Sequence, residues 1–167
     1  MAIYACSIWI GFVFYSKGTY PGMLHAQLFV GGFLYFSILG FLLTALPRFT
    51  QTDFLSPKEL MLFAMVIIGV LYGSLMGNPK VMWTAILLGW PLLIQFAILR
   101  FLHRKQNPPY TFLFVGLGLL FGLVGSAILC LDKWILLSVG GLAVGKILFY
   151  DAMVLSLIIG VGGRLIP

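Results

Sequence analysis

The sequence is poor in charge. Four acids and ten bases make up 8% of its 167 residues, while 62% are hydrophobic. A soluble domain is roughly 25% charged and about 45–50% apolar, because a water-facing surface needs a polar skin. So few charges cannot clothe 18.5 kDa of chain. A soluble globular fold is therefore excluded, and the chain is expected in a lipid bilayer. Acids are scarcer than bases, which leaves a net charge of +6. No Lys/Arg block of five or more accompanies that excess, so no nucleic-acid partner is expected. In a membrane protein, basic excess instead marks the loops that stay in the cytoplasm.

Metal-binding and catalytic residue types are equally sparse. Cys6 and Cys130 are the two cysteines. They are too few for a disulfide framework or a thiolate metal site, and neither sits in a C-x-x-C or C-x-x-C-H motif. His25 and His103 are the two histidines. No Ser–His–acid set and no closely spaced carboxylate pair is visible, so hydrolytic catalysis has little to work with and a non-enzymatic role is favoured. The N-terminus, MAIYACSIWIGFVFY, has no basic lead, so it reads as a retained first helix rather than a secretory signal. The apolar runs do not alternate and are too long for barrel strands.

What the chain has in abundance is long apolar runs cut by turn signals. SKGTYPG (16–22), PRFTQTDFLSPKE (47–59), GNPK (77–80), RFLHRKQNPP (100–109) and DK (132–133) read as loops. The runs between them are 1–15, 24–46, 60–76, 81–99, 110–131 and 147–163. A helix of about 20 residues crosses roughly 30 Å of hydrocarbon. The expectation is an all-α, single-domain, up-and-down bundle of about six transmembrane helices. Segment 134–146 is open between an interfacial helix, a re-entrant piece and a long lead into the last helix. Alternating loops put Arg48, Lys58, Arg100, Arg104, Lys105 and Arg164 on one side, and Lys17, Lys80, Lys133 and Lys146 on the other. The richer side is assigned to the cytoplasm, together with the N-terminus.

Small residues recur every four positions: Gly69, Gly73 and Gly77; Gly118, Gly122 and Ser126; and Gly32, Gly40 and Thr44 on one stripe with Phe36. Residues four apart share a helix face, and small ones let backbones approach where oil alone cannot pull helices together. These stripes read as packing, since no G-x-G-x-x-G follows a strand. Pro91 removes a backbone donor from its helix and is expected to kink it. Gln95, one turn on, either satisfies the freed groups or faces a cavity. Met61 and Met65 share a face and read as packing filler rather than soft copper ligands.

Polar groups inside a bilayer are costly, so each needs a reason. Two stand out. His25 opens the run LHAQLFVGGFLYFSILGFLLTALPRF, and Asp151 interrupts KILFYDAMVLSLIIG. His25 reads either as an interfacial histidine bonded to a carbonyl or headgroup, or as a metal or haem ligand. Asp151, four residues into the run from 147, reads as an interfacial acid that reaches water or pairs with Lys146, or as a functional carboxylate. If both face one outer cavity, the carboxylate could hold the second imidazole nitrogen.

The stretch HAQLFVGGFLYFSILGFLLTALPRF resembles the NnrS family of polytopic bacterial membrane proteins, in which a histidine-bearing segment leads into a GFLLTA-x-P-like signature. IIGVGGRLIP (158–167) resembles the family's second signature, and the two blocks come in the family order. Gly40, Phe41, Thr44 and Pro47 match the first, and Gly162, Gly163, Arg164 and Pro167 the second. Gln27 stands where a second histidine is frequent, and Phe49 where tryptophan is common. The resemblance implies a bacterial inner-membrane protein associated with haem and copper and linked to nitric oxide stress. It carries His25 over as metal and haem ligand and Arg164 as a further cofactor contact; Asp151 joins them as a cofactor contact only through its own place in an apolar run. Arg164 suits either a haem propionate, because guanidinium matches carboxylate geometry, or a structural role at the inner interface, where the topology places it away from His25. Relatives of this kind are about twice as long, so the chain is expected to correspond to the N-terminal half, with a second half or another copy as partner. Two other readings stay open: half of a secondary transporter lined by Asp151, Gln95 and the kinked helix, and a cofactor-free assembly subunit.

Overall fold

A computed structural model describes residues 28–163 and, before them, Ile3, Cys6, Ser7, Ile10, Gly22 and His25. The expected span 1–15, as well as Arg164 and Pro167, lie outside the described residues or nearly so. Every described regular element is helical. A π-helical segment, Leu28–Leu34, runs into α1, Tyr35–Thr50. It is followed by α2, Pro57–Leu75, α3, Pro79–Leu102, and α4, Phe112–Ile135. Then α5, Val139–Lys146, passes through a second π-helical segment, Ile147–Ala152, into α6, Met153–Gly162. Five of the resulting helices are long and apolar enough to cross a membrane: Gly32–Thr50, Pro57–Leu75, Pro79–Leu102, Phe112–Ile135 and Val139–Gly162. The protein is a multi-pass, all-α membrane protein.

Local chemistry sets the ends of these helices. Ser56 caps α2, accepting from the Glu59 N–H, while the Glu59 carboxylate accepts from the Ser56 N–H at 2.8 Å. With Pro57 at the first helical position, this reciprocal box starts α2 before the expected residue 60. Asn78 caps α3 in one direction only, its side-chain oxygen accepting from the Val81 N–H at 3.3 Å, with Pro79 behind it. Gly77 makes the intervening turn at φ +61°, a conformation that costs glycine little. Pro47 does not end α1, which continues to Thr50. The Thr50 hydroxyl donates back to the Leu46 carbonyl at 2.8 Å, one turn down the helix.

Asp132 and Lys133 are not a loop either. They lie in the last turns of α4, where Asp132 is buried and accepts from Lys133 Nζ at 2.7 Å and from the Leu137 N–H at 3.3 Å. Neutralised and bonded in this way, the acid can stay in the helix. A three-residue turn follows, and segment 139–146 then forms the first turns of the last span, so the lead-in reading of 134–146 describes it.

The core runs along α3, which packs against α1, α2 and α4; the last span packs against α4. Glycines set those approaches. A Cβ at Gly73 would strike the Met82 backbone, and one at Gly69 would stand 3.0 Å from the Ala85 Cβ. On α4, Gly118 faces Leu157, Gly122 faces Trp90, and Gly125 faces the backbone of Phe149. The α1 stripe differs. Gly32 is buried, but Gly40 and Thr44 are exposed, and a Cβ at Gly40 would meet nothing within 4 Å. Gly77 belongs to a turn rather than to a packing face. Met61 and Met65 are exposed, so they face the surroundings and not the core.

Candidate functional site

The centre of the bundle is an aromatic layer. Trp90 is fully buried on α3 and receives the edge or face of Tyr35 from α1 (centroids 5.9 Å) and of Phe149 from the second π segment (6.2 Å). Trp83, two turns earlier on α3, meets Phe149 at 5.2 Å. Such T-shaped pairs align a positive ring edge with a negative face. Gly89 is what admits Tyr35, since a Cβ there would fall on the tyrosine hydroxyl. Tyr35 Oη and Trp90 Nε1 are buried with no hydrogen-bond partner among the described residues. Buried donors without partners are rare in folded proteins. Tyr35 and Trp90 were not singled out from the sequence. A hydroxyl- and an indole-bearing residue inside two apolar runs was the available signal.

The residues that were singled out are distributed differently. His25 is half-buried, and its ring lies nearly parallel to that of Phe29 at 6.5 Å. The π segment that follows it packs on α2 and α3. Asp151 lies in the second π segment, which packs on α4. Because the last span begins at Val139, Asp151 stands at the middle of a 24-residue helix rather than one turn from its end. It is exposed on the bundle's perimeter. Two ion pairs occur among the described residues, Arg100–Glu59 and Lys133–Asp132, so the expected Lys146–Asp151 pair is not formed there. Gln95 is also exposed, on the outer side of α3. His103 lies at the exposed end of α3, its Nδ1 2.8 Å from the Leu99 carbonyl. Arg164 falls outside the described residues. Both π segments adjoin a polar candidate, and such wide turns occur disproportionately at functional positions.

One end of the molecule carries the strongest electrostatic arrangement. Arg100 at the foot of α3 holds Glu59 of α2 with two bonds, at 2.6 and 2.9 Å. It also donates to the Asp53 and Phe54 carbonyls and lies 4.1 Å over the Phe96 ring. Bidentate pairing of this kind fixes geometry as well as charge. It staples the 51–56 loop to the end of α3. The spacing Ser56-Pro57-Lys58-Glu59 announces the cap of α2, whereas the reach from Glu59 to Arg100 exists only in the fold.

Haem and copper make different demands on these residues. Haem needs an axial donor, and the His25 imidazole beside an aromatic ring is chemically suited to be one. The unpartnered Tyr35 and Trp90 donors add buried polar capacity at the bundle centre. Copper needs several ligands, and no group of three or more His, Cys, Asp or Glu that could hold a metal comes together among the described residues. Cys6 and Cys130 are both free, one exposed and one buried. The described residues therefore fit a single haem ligand and do not by themselves fit a copper site.

No curated protein and no solved structure matches the chain. A family model does, described as NnrS protein, and it covers residues 1–167. With a match across the whole sequence and a bundle of membrane-spanning helices beneath it, the chain belongs to the NnrS family.

Proposed function

We propose that the protein is a haem-associated membrane protein of the bacterial inner membrane that serves in the response to, or protection from, nitric oxide. The observation that carries this reading is the family match over residues 1–167. His25 would supply the axial imidazole; Arg164, on the other side of the membrane by the loop pattern, would serve structurally at the inner interface. Haem, when bound, supplies an iron that can take a diatomic ligand. Asp151 at mid-span would act on the cofactor's surroundings rather than as a ligand. Copper would need ligands beyond the described residues, from a second half or another copy. The basic 100–109 loop and the N-terminus are placed in the cytoplasm.

The visible spectrum of the detergent-purified chain tests the reading. A Soret band is expected, lost in His25→Ala and kept in His103→Ala. A chain isolated with haem supplied and showing no Soret band would overturn it. One observation favours a second reading, half of a transporter: a carboxylate at the middle of a span, within a π-helical break. Such proteins bind substrate near the midplane at interrupted helices. Flux in liposomes that Asp151→Asn abolishes would favour it; flux unchanged by that substitution would remove it.

A further inference from the structure

A groove of about 870 Å³ opens between α3 and α4 at the end that carries Arg100. Ile94, Ile98 and Phe101 form one wall, and Leu113, Gly116 and Leu120 the other. These walls belong to two membrane spans, so what lies along them is apolar. The mouth is different. Arg104 and Asn107 line it, and Tyr110 stands fully exposed beside it. Arg104 is held in place: Nε donates to Asn107 Oδ1 at 2.9 Å, Nη1 donates to the Phe101 carbonyl at 2.9 Å, and the guanidinium lies 4.3 Å over the Phe101 ring. Arg104 forms no ion pair among the described residues, where Glu59 is taken by Arg100.

The charge around that mouth is not confined to one side chain. The Lys105 N–H donates to the carbonyl of Thr50, itself a lining residue, at 2.9 Å. That contact brings Lys105 beside the end of α1, two residues from Arg48. Both are exposed, and neither forms an ion pair among the described residues. At the opposite end, among the described residues, Lys133 is paired with Asp132, Lys80 lies 5.0 Å over the Trp134 ring, and Lys146 is exposed.

We propose that this groove binds an anionic glycerophospholipid, with an acyl chain along α3 and α4 and its phosphate at Arg104. The volume lies within the roughly 300–1,000 Å³ usual for small-molecule sites. Guanidinium pairs with phosphate more specifically than a point charge does. Basic pockets between membrane helices are suited to anionic headgroups. Gly116 leaves a notch in the wall, since a Cβ there would meet nothing within 4 Å. A larger side chain can therefore enter the groove without displacing a helix. This site is independent of the haem reading.

Thermal stabilisation of the full chain in detergent, titrated with phosphatidylglycerol, phosphatidylcholine or inorganic phosphate, tests it. Phosphatidylglycerol should half-saturate at about fivefold lower mole fraction than phosphatidylcholine, the effect of one basic side chain at an anionic surface. Arg104→Gln should erase that preference while leaving the response to phosphatidylcholine. Lys80→Gln, at the other end, should keep it. Gly116→Leu should weaken the response to both lipids; if that variant does not fold, the Arg104 and Lys80 variants decide alone. Equal responses to the two lipids in the unsubstituted chain would overturn the proposal. So would equal loss in Arg104→Gln and Lys80→Gln, or stabilisation by inorganic phosphate alone.

Discussion

Gly73 and Gly40 sit in the same kind of sequence, a small residue repeated four positions on, inside an apolar helix. Their surroundings are opposite. At Gly73 the Met82 backbone of α3 fills the space where a side chain would stand, and at Gly40 nothing lies within 4 Å. A four-residue spacing guarantees a smooth face and no more. Whether a partner takes that face depends on how the loops fold the helices together. GNPK makes so tight a turn that α2 must lie against α3, whereas α1 reaches α3 by way of Tyr35 and leaves Gly40 outward.

The largest expected effect lies at Gly73. Leucine there has to displace backbone, so Gly73→Leu should destabilise the bundle by about 3 kcal/mol, the upper end of overpacking costs. Thermal unfolding in detergent would read this, and an unchanged midpoint would mean that α2 and α3 do not pack as described. Glu59→Gln comes next. It leaves Arg100 without its carboxylate at a site where both side chains are less than a quarter exposed. A loss of about 2 kcal/mol is expected from a charged bond of this kind, with the 51–56 loop becoming more open to protease. Wild-type protease resistance would count against the staple. Gly40→Leu should be the mildest, within about 0.5 kcal/mol as for surface changes generally. If it instead falls as far as Gly73→Leu, the α1 stripe is covered in the native protein, by this chain or by a partner.

Reading the sequence located the spans better than their ends. The apolar runs are long, and lipid tolerates only backbone that bonds to itself, so helices follow almost directly from composition. The ends are harder, because polar residues mark caps and internal ion pairs as readily as loops. Ser56 and Glu59 are polar because they cap α2, and Asp132 and Lys133 are polar because they neutralise each other within α4. The same ambiguity puts Asp151 near an end: with 139–146 joined to the last span, it stands at mid-length. His25 could be noticed from the sequence as a polar residue at the mouth of an oily run. Tyr35 and Trp90 could not be noticed in that way, because aromatic residues are ordinary in such helices, and their burial without partners appears only once three helices meet.

Composition and run length by themselves determined that the protein is a helical, multi-pass membrane protein, since 8% charge leaves no other solvent for it. The tertiary structure alone decided which glycine faces are used, that Arg100 grips Glu59 across two helices, and that Arg104 borders a groove while forming no ion pair among the described residues. The physical reason is range. Hydropathy acts residue by residue and survives any arrangement of the helices. A backbone clash, a bidentate ion pair or an unmatched charge exists only between residues that the fold has brought within a few ångströms.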